Sequence, residues 1–212
     1  MNRSVTVKEI CLIALAVCIN IAGGQAALML RLPIYLDSIG TILIGVLLGP
    51  FHGMIPNLLS GIAMGMTADI YSLYFAPVGM VTGFMAGLVS GAVRGRYGCE
   101  KMTGGESADG KYGKRAAGIA AVLPAAIAVT VPGTVLSALI CAKLFGGITS
   151  SGSSILVQLL SHISLSMTAS VFIVQIVTDY LDRVISLYLV AVLVRVLPAD
   201  LKYACRRSGE NR

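Results

Sequence analysis

The stretch LPIYLDSIGTILIGVLLGPFHGMIPNLLSGIAMGMTADIYSLYFAPVGMVTGFMAGLVSGAV, from Leu32 to Val93, decides the fold of this chain. Its sixty-two residues include no Lys or Arg, and Asp37 and Asp69 are its only carboxylates. One helical crossing of a bilayer needs only about 20 apolar residues. So long a run therefore predicts that the chain crosses a membrane several times.

The composition of the whole chain supports the same interpretation. Of its 212 residues, 56% are hydrophobic and 12% are charged, which is typical of a helical protein with several membrane crossings. We expect a single membrane domain over residues 1–212 and an all-α fold. The five cysteines form no CxxC pair and no metal-ligand spacing, so we expect neither a disulfide framework nor a metal site.

The basic residues lie in three clusters, and these clusters predict the topology. Arg3 and Lys8 lie near the start, a second cluster runs from Arg94 to Arg115, and a third from Arg195 to Arg212. Positive charge of this kind marks loops on the cytoplasmic side of a membrane. The net charge of +6 is therefore not read as nucleic-acid binding, and both termini are expected in the cytoplasm.

Six transmembrane helices are predicted, at residues 7–30, 38–48, 53–68, 77–94, 116–144 and 178–197. A cytoplasmic loop is expected at 95–115 and an outer polar segment at 146–177. Within that segment, Ile155–Val177 is long enough to cross but rich in polar residues. We interpret it as kinked or partly inserted on the outer side, because six crossings keep all three basic clusters on one side.

Small residues recur along two of the predicted helices. Ala14, Cys18, Ala22 and Ala26 form a ridge on the first helix, suited to close helix contact in lipid. A line of glycines spaced four apart, from Gly79 to Gly95, forms an inclined groove on the fourth helix. Packing within the protein and a surface for a partner both remain open for this groove.

Aromatic, acidic and amide side chains cluster in the parts expected on the outer side. A pocket for a small polar solute needs groups of these kinds. The candidate substrate-binding residues are Tyr35, Asp37, Asp69, Tyr71, Tyr74, Gln158, His162 and Gln175.

Each candidate also has a structural alternative. Asp37 is placed at the N-cap of the second helix, where it could serve only as a cap, and the tyrosines could form an interfacial belt. His162 could be structural. Asp179 is expected near the rim of the pocket, whereas Asp182 and Arg183, at the start of the last helix, could pair at the membrane surface.

No enzyme motif is found along the chain. It contains no HExxH, GxSxG or GxxxxGK[ST] pattern, the spacings used by metalloproteases, α/β-hydrolases and nucleotide-binding loops. We therefore expect a protein that is not an enzyme and holds no cofactor. Any energy for transport would come from a partner or from an ion gradient.

Two regions resemble the substrate-binding S component of energy-coupling factor (ECF) transporters. The first comprises Leu36–Thr41 and Leu47–Pro50, followed by a small-residue helix. The second comprises Asp179–Ser186, in which Arg183 stands where the family usually has Lys, and the closing Arg195–Pro198. The similarity covers nearly the whole chain in helix layout and length.

Membership of that family implies a six-helix protein of the prokaryotic plasma membrane that captures a vitamin-like micronutrient from outside. An ECF transmembrane coupling subunit and two ATPase subunits would be its partners, and they, not this chain, would use ATP. The family's Ala-x-x-x-Ala partner-binding motif is nearly matched by Ala14 and Cys18 and literally matched by Ala22 and Ala26.

Two other functions remain open at this point. A membrane sensor module could use the same pocket to detect a ligand without transporting it. A stand-alone secondary transporter is a further alternative, but such proteins are commonly built from repeats with broken helices, and the two halves of this chain share no corresponding motifs. The sequence does not identify the substrate.

Overall fold

The computed structural model describes residues 7–32, 34–97, 113–144 and 167–196. These ranges are all-helical and contain no strand, which confirms the predicted fold class for the described part of the chain. The six helices are α1 (Val7–Met29), α2 (Ile39–Leu48), α3 (Pro50–Thr67), α4 (Ile70–Tyr97), α5 (Gly113–Leu144) and α6 (Met167–Val196).

The short helix α2 forms the centre of the bundle. Its sequence, IGTILIGVLL, is almost entirely apolar, and a helix that is apolar on all sides is stable only when it is buried on all sides. It packs against α1, α3, α4 and α6. Ile42, Ile44 and Leu47 are almost completely buried there, so the helices around α2 shield it from the surroundings.

A single residue separates α2 from α3. Gly49 adopts φ 97°, a left-handed conformation that suits glycine, and Pro50 follows as the first residue of α3, where a missing N–H costs nothing. The chain thus reverses at Gly49, and Gly45 lies against Gly53. The predicted start of the third helix at residue 53 is wrong, because α3 begins three residues earlier, at Pro50.

Helix α4 begins at Ile70, whereas the fourth helix was predicted to begin at residue 77. Asp69 is the residue before the helix, and its carboxylate accepts hydrogen bonds from the Tyr71 N–H (3.4 Å) and the Ser72 hydroxyl (3.3 Å). This contact caps the helix and allows it to start early. Pro77 lies inside α4, so reading it as a helix boundary was wrong.

The bounds of two predicted loops also differ from those in the structure. Because α4 continues to Tyr97 and α5 begins at Gly113, both intrude on the predicted loop at 95–115. Helix α6 begins at Met167, so the prediction of a start near residue 178 is wrong. Residues 167–177 are part of this helix, while 98–112 and 155–166 lie outside the described residues.

Two described helices are long and apolar enough to cross a membrane, by length and composition: Val7–Met29 and the Ile70–Ala92 part of α4. Exposed large apolar side chains occur on α1, α3, α4, α5 and α6. These properties suggest association with a membrane. Helix α2, with ten residues, is only about 15 Å long, half the thickness of the hydrocarbon core of a bilayer.

The glycine groove of α4 packs inside the protein. A Cβ atom added at Gly83 would lie 2.1 Å from the Gly53 carbonyl oxygen, and one at Gly87 would lie 2.4 Å from the Pro50 Cα. At Gly91 such an atom would meet nothing within 4 Å. The described part of the groove therefore holds α4 close to the α2–α3 hairpin.

This arrangement predicts a difference between two substitutions on one helix. Gly83→Ala should destabilise the protein by about 1–3 kcal/mol, because the added methyl group forces backbones apart. Gly91→Ala is the matched control and should leave stability unchanged or raise it by up to about 1 kcal/mol. Thermal unfolding of both variants in detergent tests this, and equal melting temperatures would contradict the packing.

Candidate functional site

Asn20 of α1 supplies the hydrogen-bonding partner at the start of α2. Its Oδ1 accepts the Gly40 N–H at 2.8 Å, and its Nδ2 donates to the Thr41 hydroxyl at 2.7 Å. Ser38 occupies the N-cap position and makes no capping hydrogen bond with its side chain. The prediction that Asp37 is the N-cap is therefore wrong, so the Asp37 carboxylate does not cap α2.

Ser38 instead contacts a buried ion pair in α6. Asp182 and Arg183 bond to each other, and both are less than one-tenth exposed. The Ser38 hydroxyl donates to Asp182 Oδ2 at 2.9 Å, and Arg183 Nη1 donates to the Ser38 oxygen at 2.6 Å. The structure does not support the alternative in which Asp182 and Arg183 pair at the membrane surface, because both lie near the middle of α6 and are buried inside the bundle.

The same ion pair holds the linker between α1 and α2. The Leu36 N–H donates to Asp182 Oδ1 at 3.0 Å, and Leu36 has φ 51°, which an L-residue rarely adopts. The left-handed turn places the Leu36 amide on α6, with Tyr35 and Asp37 on either side of it along the chain. Asp182 thus fixes the linker that carries two of the predicted site residues.

A cavity of about 60 Å³ lies beside this linker. It is lined by Tyr35 and Asp37 from the linker and by side chains of α3, α4, α5 and α6. Its polar lining residues are Tyr35, Asp37, Asn57, Ser72, Ser137, Gln175, Thr178, Asp179, Asp182 and Arg183. Typical small-molecule pockets measure about 300–1,000 Å³, so this cavity admits a few atoms of a ligand in the conformation described here.

Hydrogen bonds between α5 and α6 position one wall of the cavity. Gln175 Nε2 donates to the Ser137 hydroxyl at 2.7 Å and to Asp179 Oδ1 at 3.1 Å. The Thr178 hydroxyl donates to the backbone carbonyl of Val174 at 2.8 Å. Because the Gln175 amide is held from two sides, Asp179 is fixed facing the site.

Asp37 stands in an unfavourable environment for a negative charge. Burial, followed by the negative charge of Asp182, raises the pKa of the Asp37 carboxyl to about 6 from 3.8, although the Arg183 guanidinium opposes this. Among the described residues, the hydrogen-bond donor that favours the ionised carboxylate is the backbone N–H of Asp37 itself. Such an acid is stabilised by a proton or by a ligand that brings positive charge.

The sequence-predicted residues fall into three groups. Tyr35, Asp37 and Gln175 line the cavity. Asp69, Tyr71 and Tyr74 lie at the start of α4 and are not among its lining residues. Gln158 and His162 lie outside the described residues. The structure thus brings three of the candidates together, from the α1–α2 linker and from α6.

The four small residues predicted to bind a partner are exposed. Ala14, Cys18, Ala22 and Ala26 lie on the surface of α1, whereas Leu12, Ala16, Asn20 and Gly24 are buried on the same helix. A shift of two residues turns a helix by 200°, so the ridge lies nearly opposite the face that packs on the bundle.

Several residues of the site were missed by sequence reasoning. Asn57, Ser137 and Thr178 each stand in an apolar helix and line the cavity, but an isolated polar residue in such a helix carries little information. Asn20, in contrast, could have been recognised from the sequence. It falls in register with Leu12, Ala16 and Gly24 on the inward face of α1, where a buried amide needs partners.

Comparison with known proteins does not identify a relative. The chain matches no protein-family model, no curated protein and no solved structure at a significant level.

Proposed function

We propose that this chain is the substrate-binding membrane subunit of an ECF-type importer, which captures a vitamin-like micronutrient from outside and delivers it inward with ATPase partners. The function is suggested by the resemblance to that family of four stretches: Leu36–Thr41, Leu47–Pro50, Asp179–Ser186 and Arg195–Pro198. The observation that carries the proposal is the cavity beside the α1–α2 linker. The cavity brings charged and amide side chains together in the interior of the bundle. The helices that carry them expose large apolar side chains on their outer surfaces.

The distribution of polarity supports a membrane setting. Ser38, Thr41, Asn57, Asp182 and Arg183 are buried, while large apolar side chains face outward on the five helices around α2. In a bilayer, ionisable residues face the interior of a bundle, pair with each other and mark the path of a solute. A multi-pass protein of the cell membrane with a solute site in its interior has these properties.

The proposed topology has six crossings with both termini in the cytoplasm. Because α2 alone is about half as long as a crossing requires, the second crossing includes the α1–α2 linker. It predicts that Cys99 and Cys205, which lie outside the described residues, are cytoplasmic. An impermeant thiol reagent should label neither cysteine in intact cells and both after permeabilisation. Labelling of Cys205 from outside would establish an odd number of crossings and contradict the topology.

The exposed ridge of α1 is the proposed docking surface for the coupling subunit. Close contact between helices in lipid depends on small side chains that let the backbones approach. Ala14→Leu and Ala22→Leu should each lower uptake at least about tenfold, because disturbing such contact by about 1.4 kcal/mol already has this effect. Binding of solute to the isolated protein should be unchanged.

The experiment uses cells that also express a coupling subunit and its two ATPases, with uptake followed by mass spectrometry. Ala128→Leu is the matched control, since Ala128 is an exposed alanine of α5, and this variant should transport normally. Loss of both binding and uptake in Ala14→Leu would instead assign the ridge to packing within the protein. Uptake that does not require the ATPases would contradict the importer function.

A further inference from the structure

The charged groups that line the cavity do not balance. Asp37, Asp179 and Asp182 contribute carboxylates, and Arg183 is the one cationic side chain among the described lining residues. With every group ionised, the site carries an excess of two negative charges. Burying an uncompensated charge is costly, so the site favours a positively charged occupant.

The charge of Arg183 is already matched by Asp182, so it leaves no net positive charge for an anionic solute. Its guanidinium bonds to Asp182 and, through Nη1, to the Ser38 hydroxyl, and the residue is buried. Asp182 is likewise engaged by the Leu36 N–H and by Ser38. A carboxylate or phosphate entering the cavity would meet Asp37 and Asp179 without a free cation to receive it.

The two remaining carboxylates have acceptor capacity to spare. An ionised carboxylate offers about four acceptor sites. Asp179 receives a hydrogen bond from Gln175 and interacts with the Thr134 hydroxyl, and among the described residues the donor that stabilises the Asp37 carboxylate is its own backbone N–H. An alkylammonium group brings three N–H donors and a positive charge, and so supplies what both acids lack.

The size and the walls of the cavity fit the same chemistry. Its volume of about 60 Å³ equals roughly two water molecules, which suits the ammonium end of a solute rather than a whole molecule. Tyr35 and Phe75 line the cavity beside the acids. Aromatic rings attract cations, whereas they provide no counterpart for an anion.

We propose that the cavity binds the positively charged amino group of its solute between Asp37 and Asp179. This inference rests on the proposed function and names the chemical class of the substrate: a small organic amine, or a micronutrient that presents a protonated nitrogen. The Asp182–Arg183 pair acts beside it as a positioning element, since it holds the linker that carries Asp37.

Three four-carbon probes, butylammonium, butanol and butyrate, distinguish an effect of charge from an effect of shape. Sodium chloride at the same concentration serves as the salt control, and all samples are brought to the same ionic strength. The full chain in lipid nanodiscs is melted with each probe at neutral pH. A ligand that binds the folded state raises the melting temperature in a dose-dependent way. We expect this effect with butylammonium alone, and we expect its apparent Kd to rise at least tenfold in Asp37→Asn and in Asp179→Asn.

Glu9→Gln is the matched control, because it also removes one carboxylate but lies near the start of α1. It should keep the wild-type response. Stabilisation by butyrate, equal stabilisation by butanol or sodium, or no stabilisation by butylammonium would each overturn the inference. The comparison of the three probes uses the wild-type protein, so it tests the inference even if an Asn variant fails to fold.

The result of this melting experiment can be distinguished from the result of the uptake experiment. ATPase-dependent uptake of an anionic or neutral solute would retain the importer function and refute the amine site. Binding of butylammonium without such uptake would retain the amine site and refute the importer function.

Discussion

Asp182→Ala should destabilise the protein by about 3–5 kcal/mol, the cost typical of removing one partner from a buried ion pair. The substitution leaves the Arg183 guanidinium buried without its counter-ion. It also removes the acceptor of the Leu36 N–H and of the Ser38 hydroxyl. We expect loss of the folded protein or a markedly lower melting temperature in detergent.

The double variant Asp182→Ala/Arg183→Met tests the reason for this effect. Methionine replaces the long side chain of Arg183 without its charge, and replacing both members of a buried pair by apolar residues is often close to neutral. The double variant should therefore recover most of the lost stability. Asp69→Ala, which removes a helix cap, should cost about 0.5–2 kcal/mol. A single variant as stable as the wild type, or a double variant no better than the single one, would contradict the account.

Asp37→Asn should weaken binding of the natural solute about ten- to hundredfold, or about 1.5–3 kcal/mol. Asn is as good an N-cap as Asp, so a capping role would leave the affinity unchanged. The structure assigns the N-cap position to Ser38 and the capping contact to Asn20. The charge of Asp37 is therefore expected to act on a ligand.

The pH dependence of binding gives an independent test of Asp37. Burial raises the pKa of its carboxyl to about 6, so the acid loses its charge as the pH falls through that value. Affinity for a ligand that contacts the charge should fall over the same range. This loss of affinity at low pH should be absent in Asp37→Asn, because the asparagine side chain does not titrate in this range. Equal affinity and equal pH dependence in wild type and variant would remove Asp37 from the site.

The sequence predicted the helical class and the positions of the first two helices. Helices α1 and α2 end within about one residue of the predicted positions. The errors occurred where a residue type usually marks a boundary but is tolerated in the bundle. Pro77 lies within α4, and Asp182 and Arg183 lie within α6 because their charges neutralise each other.

Three of the ten polar residues that line the cavity were predicted as binding residues, and tertiary contacts explain why the others were not. Tyr35, Asp37 and Gln175 were identified from their chemistry, and they do line one cavity. Asn57 and Ser137 stand far from them in sequence and meet them only when α3 and α5 pack on α4 and α6. The roles of Asp37 and Asp69 at helix starts were also misassigned, since Asn20 on α1 provides the acceptor that Asp37 was expected to supply.

Native mass spectrometry of the full chain, purified from membranes of cells grown in rich medium, tests the central claim most directly. The account predicts one small-molecule adduct per chain, of constant mass and carrying a basic nitrogen, that is depleted in Asp37→Asn and retained in Glu9→Gln. A protein that carries no adduct other than lipid, or an adduct held equally by Asp37→Asn, would contradict a solute-binding subunit with its site beside the α1–α2 linker.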